Sequence, residues 1–67
     1  MPELKPHRVR AFAVTDPTYT LCEENFDDEA EARTTFAQRS AHAEENGGGY
    51  DLIIRGERIA RVAVHID

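Results

Sequence analysis

Between Phe26 and Glu45 the chain contains neither Pro nor Gly, and five Ala stand there among Glu, Arg, Gln and Thr. That is the composition of a strong helix former, and it claims almost a third of a chain of 67 residues. Asp27 or Asp28 can cap the free amides at its start. Asp28 with Glu31 fits the capping-box spacing, and Asp27, Asp28 and Glu29 complement the positive end of the helix dipole. At 100° per residue, Ala32, Phe36, Ser40 and Ala43 align with Ala37 and Ala41 beside them, while Glu31, Thr35, Gln38, His42 and Glu45 lie opposite. The small side chains predict a helix lying close on a sheet, anchored by Phe36, with Phe26 stapled back onto the same layer. Asn46-Gly47-Gly48-Gly49 ends it, because Asn and Gly tolerate the left-handed backbone that closes a C-terminus.

On either side of the helix the period changes to two. Residues 8–14 read as a strand, Asp16-Pro17 as the start of a tight turn over 16–19, and about 18–24 as the return strand. After the glycines, 50–54 and 58–66 read as a second hairpin with Gly56 at its turn. A loop of Gly56-Glu57 would set Leu52 against Arg61. A longer loop, Gly56-Glu57-Arg58, or an equivalent bulge, pairs Ile54 with Ala60, Leu52 with Val62 and Tyr50 with Val64, which keeps charge off the core face.

The expected fold is therefore α+β in the order ββαββ: one antiparallel four-stranded sheet with a single helix packed on one face. It is read as one domain over 1–67, with 1–7 as an extended tail. Three Leu, four Ile, four Val and three Phe make about a fifth of the chain, close to the fraction below which chains stay disordered. The core is accordingly thin, since a domain this small buries only about 60% of its unfolded surface.

The larger apolar set, Phe12, Val14, Tyr19, Leu21, Leu52, Ile54, Val62, Val64 and Ile66, is expected to face the helix. Val9, Ala11, Ala13, Cys22, Ile53, Ile59, Ala63 and His65 are then expected on the outer face, with Thr20, Asp51, Arg55 and Arg61 as its polar residues. So apolar a face suggests docking or a homodimer, with Ile53, Ile59, Arg61 and Ala63 as candidate contacts.

Thirteen Asp and Glu against eight Lys and Arg give a net charge of −5. Six of the acids fall within residues 23–31. Glu23, Glu24, Asp27, Asp28 and Glu31 form a candidate acidic knob for a partner with a basic surface, although acids at a helix start also serve capping and solubility. Arg8, Arg10, Arg55, Arg58 and Arg61 are the rival set, for nucleic acid. The net negative charge opposes phosphate attraction, and no recognition motif accompanies them.

No catalytic set is apparent, and His7, His42 and His65 lack metal-ligand spacing. Cys22 beside Glu23 and Glu24 sits in negative potential, which disfavours the thiolate. No cofactor or metal is expected. Nor is any segment apolar for long enough to cross a bilayer, and a cytoplasmic location is the expectation.

The layout, with Phe26-Asp27-Asp28-Glu29-Ala30-Glu31-Ala32 opening the helix and Tyr50-Asp51-Leu52-Ile53-Ile54-Arg55-Gly56-Glu57-Arg58-Ile59 as the closing hairpin, resembles very small accessory proteins of phages and mobile elements, some anti-CRISPR inhibitors among them. That resemblance implies a stoichiometric protein-binding role and transfers no functional residue. The expected function is a non-enzymatic interaction module that binds a larger protein or a second copy of itself, with a small nucleic-acid-binding regulator or an uncharacterised structural domain as alternatives.

Overall fold

In the computed structural model, which describes residues 5–66, the elements run β1 (His7–Ala13), β2 (Asp16–Phe26), α1 (Glu29–Asn46), β3 (Gly48–Ile54) and β4 (Glu57–Val64). The four strands form one antiparallel sheet in the order β2-β1-β3-β4, so the fold is the ββαββ arrangement expected, with the two hairpins joined through β1 and β3. Most of the 1–7 segment expected as a tail lies outside the described residues. His7 does not belong to a tail: it opens β1, is buried, and its Nδ1 accepts the Arg55 backbone N–H at 3.3 Å.

The helix begins and ends where the local chemistry directs. Asp28 is the N-cap in an extended conformation, its carboxylate accepting the Ala30 N–H at 3.0 Å, and Gly47 at φ 80° closes the other end by donating its N–H to the Ala43 carbonyl. Ala32 and Ala43 are fully buried, and Thr35, Phe36 and Ser40 are half-buried along the same stripe. Thr35 thus lies on the packed side, while Ala37 and Ala41 are exposed. Against the stripe lie Val9, Leu52 and Ile54, with Phe26, Tyr50 and Ala60 at the margin.

This core corrects the face assignment of β1. Val9 and Ala11 point to the helix; Arg8, Arg10 and Phe12 point away. Phe12 is larger than either inner residue, but it shares its side of the strand with two arginines, and burying two guanidiniums beneath a helix costs more than one Phe returns. Cys22, opposite Ala11, is likewise on the helix side rather than the outer one. Tyr19 and Leu21, expected in the core, are 62% and 61% exposed. The first hairpin turns at Val14-Thr15, ahead of Asp16, and the register shifts between Ala11 and Phe12 leave Leu21 as an extra residue in β2.

The second hairpin turns through Arg55-Gly56, at φ 53° and 80°, the doubly positive backbone of a two-residue type I′ turn. Leu52 pairs with Ala60 and Tyr50 with Val62, two residues from the expected register, and Ile59 is the bulged residue that restores the alternation. Parity survives: Tyr50, Leu52 and Ile54 face the helix. Ile66, expected in β4 and inward, lies beyond the strand and is 51% exposed.

Candidate functional site

The register lines up three rows across the outer face. Asn25, Arg8, Ile53 and Arg58 stand side by side in the first; Glu23, Arg10, Asp51 and Arg61 in the second; Thr20, Phe12, Gly49 and Ala63 in the third. Asp51 is the hub. Its carboxylate accepts from Arg10 NH1 at 2.9 Å and, in a bidentate fork, from Arg61 Nε and NH2 at 2.7 and 3.1 Å. The remaining donors of Arg10 go to Thr20 Oγ1 and the Pro17 carbonyl, each at 2.6 Å, which ties the β1–β2 hairpin to the centre of the sheet.

Both guanidiniums lie over the Phe12 ring, at 5.4 Å for Arg10 and 4.6 Å for Arg61, and Phe12 is only 1% exposed although no helix covers this face. Below it Gly49 leaves the necessary space, since a Cβ there would collide with the ring. Burial pushes the Asp51 carboxyl upward, and the hydrogen bonds and charges of Arg61 and Arg10 more than offset it, so its pKa lies below the ordinary carboxylate range. The same bonds raise that of Arg61.

This face is therefore not the apolar surface expected from alternation. Of the candidate contacts, Ile53 is buried between Arg8 and Arg58, Arg61 is engaged by Asp51, Ala63 is exposed beside Gly49, and Ile59 is the half-exposed bulge.

On the other face, the helix lies mainly over β3 and leaves the inner side of β2 around Cys22 largely uncovered. A groove of about 440 Å³ opens there, lined by Val9, Ala11, Cys22, Glu24, Gln38, Arg39, His42 and Tyr50. Its floor comes from β1, Cys22 and Tyr50, and its wall from one edge of α1, where Arg39 and Gln38 stand three and four residues before His42 and so share its face. Glu24 Oε1 accepts from Arg39 Nε at 3.0 Å and NH2 at 2.7 Å across the groove, which raises the Arg39 pKa. β2, eleven residues long, is an edge strand, paired among the described residues only with β1.

The acidic residues of 23–31 do not gather into one knob. Glu23 faces outward, 3.9 Å from Arg8; Glu24 is in the groove with Arg39; Asp28 caps the helix; and Glu29 is bound by Arg33, whose hydrogen bond lowers its pKa. Asp27, 3.9 Å from Lys5, and Glu31 remain as exposed carboxylates near the helix start.

Among the described residues no group of three or more His, Cys, Asp or Glu could hold a metal ion, and no helix is long and apolar enough to cross a membrane. No protein-family model, curated protein or solved structure matches this chain.

Asp51 and Arg10 were not singled out from the sequence as interacting partners. The available signal was an acid set among Tyr50, Leu52, Ile53 and Ile54, where only a cationic partner makes burial tolerable. Gln38 and His42 fall together on the helical wheel, but nothing local says that this edge of the helix borders an uncovered strand.

Proposed function

We propose that the protein is a binding module that captures an extended segment of a larger protein along β2, adding it to the sheet as a fifth strand. The observation that supports this reading is the groove beside β2, a strand with no neighbour on its outer edge among the described residues. A segment laid on that edge would satisfy free backbone donors and acceptors of β2, and its alternate side chains would fall beside Gln38, Arg39 and His42. The groove lies within the range of about 300–1,000 Å³ typical of ligand pockets, and its apolar floor and polar wall suit one medium-sized side chain. Exposed Tyr19 and Leu21 on the same strand add apolar contact. The role is binding rather than catalysis, in keeping with the stoichiometric action that the resemblance to small phage and mobile-element proteins implies.

The test is selection of peptides from a displayed random library, followed by amide chemical-shift mapping on the isotope-labelled protein. Shifts are expected along 18–24 and at Gln38, Arg39 and His42, and Cys22→Trp, which fills the groove from an exposed position, should abolish binding while leaving the fold intact by circular dichroism. Failure to select any peptide, or shifts centred on Ile53 and Ala63, would reject the reading. A concentration-dependent dimer with β2 at its interface would assign the edge to a second copy instead.

A further inference from the structure

We infer that the outer face of the sheet is a second docking surface, and that its partner is an acidic protein segment. Across the three rows of this face four guanidiniums, Arg8, Arg10, Arg58 and Arg61, stand against two carboxylates, Glu23 and Asp51, a surplus of two positive charges. The rest of the chain has the opposite sign: residues 27–46 carry six acids against Arg33 and Arg39. The domain is therefore polarised across its thickness, and the sheet face is its cationic side.

The open donors on this face form a defined set. Arg10 is spent on Thr20, Asp51 and Pro17, and Arg61 commits Nε and NH2 to Asp51, which leaves its NH1 available. Arg8 has only a 3.9 Å approach to Glu23, and its side chain is 43% exposed. Arg58 is exposed, and no ion pair joins it to another described residue. Arg8 and Arg58 flank Ile53 from the neighbouring strands, two strand spacings or about 10 Å apart. Arg61 lies one row further along.

Three guanidiniums thus frame a buried aliphatic centre. Asp51 already demonstrates how a carboxylate is received here, by the Arg61 fork.

Charge complementarity alone would also admit nucleic acid, and one observation favours carboxylates. The aromatic residue on this face, Phe12, is 1% exposed beneath Arg10 and Arg61 and offers no ring for a base to stack on.

The test uses fluorescein-labelled deca-glutamate as probe, followed by anisotropy up to millimolar protein, with a thymidylate oligonucleotide in parallel. Saturable binding of the peptide is expected at about 20 mM salt and its loss at about 300 mM, because the surface is exposed to screening. Arg58→Glu should weaken it about fivefold or more, and Arg8→Glu with Arg58→Glu should abolish it. Glu31→Gln, on the helix side, should leave affinity unchanged or slightly improved.

Thermal melts of each variant separate lost binding from lost fold. Should the double reversal unfold the protein, Arg58→Gln, at an exposed position, replaces it and must still weaken the peptide. The inference is overturned if deca-glutamate fails to bind at low salt, if the arginine variants bind as wild type does, or if the oligonucleotide binds more tightly. Sedimentation velocity showing a dimer that dissociates in the double variant would likewise overturn it, by giving the face to the acidic side of a second copy.

Discussion

Replacing Asp51 by Asn tests whether the outer face is held by one buried carboxylate. Asn is close to isosteric and leaves the β1–β3 ladder intact, but the guanidiniums of Arg10 and Arg61 would then share the Phe12 ring with no counter-charge between them. The side chain is 3% exposed and accepts three charged hydrogen bonds, and removing one partner from a buried ion pair typically costs about 3–5 kcal/mol. The arginine side chains are 14% and 34% exposed, so water recovers part of the loss and the expected cost is about 2–4 kcal/mol. For a domain of this size that lowers Tm by about 10–25 °C, out of a total stability of about 3–10 kcal/mol.

Urea unfolding and thermal melts followed by far-ultraviolet circular dichroism give both numbers. A fall in Tm of less than about 4 °C would refute the reasoning. A companion variant sharpens it: Arg10→Met, Asp51→Leu and Arg61→Met together remove every orphaned charge and should melt within about 4 °C of wild type. If the triple variant falls as far as Asp51→Asn, the attraction itself rather than the stranded guanidiniums carries the stability.

The pH dependence has a fixed sign. Because the folded pKa of Asp51 is depressed, its contribution is complete well above the ordinary carboxylate value of about 3.9 and is lost as pH falls below that value through the native one, a loss the Asn variant should not show.

Gly49→Ala drives a Cβ into the Phe12 ring and should cost about 1–3 kcal/mol in urea unfolding, less in a Phe12→Leu background than in wild type, because the clash is with that ring. Arg55→Asn should raise stability by a few tenths to about 1 kcal/mol by the same measurement, since φ 53° at the first turn position suits Asn better than Arg. Asp28→Ala removes the N-cap bond to the Ala30 N–H and should cost about 1 kcal/mol, with fraying of the first helical turn visible as faster amide exchange.

The parts of the fold legible in the sequence are those whose cause is local. Asp28 as the cap and Gly47 as the close of the helix follow from backbone groups within four residues. The inward set Tyr50, Leu52 and Ile54 was legible because it is uniformly apolar and its alternatives place charge on the core side. β1 faces the opposite way from the expectation, since size and charge give opposite answers: Phe12 argues for one face, and Arg8 and Arg10, at the same parity, for the other. Ranking the size of an apolar group above the desolvation of two cations gives the wrong face, and the structure follows the cations. The candidate site suffered twice from that choice. It made the outer face look apolar, and it hid the pairing of Arg10 with Asp51, which needs both residues on one side of adjacent strands.

By itself the sequence determined the order of the elements, the limits of the helix and the alternation of β3, because each depends on neighbours in the chain. Only the tertiary structure decided which face of β1 meets the helix, how far the closing hairpin slides before its bulge, and that the acids of 23–31 part company to the two faces. The facing of β1 depends on a partner far along the chain, Asp51 for Arg10, and on a glycine whose empty space receives a ring from another strand, and the parting of the acids depends on Arg8 and Arg39, in elements on either side of them. Coulomb attraction and excluded volume act through space, so neither leaves a periodic mark along the chain.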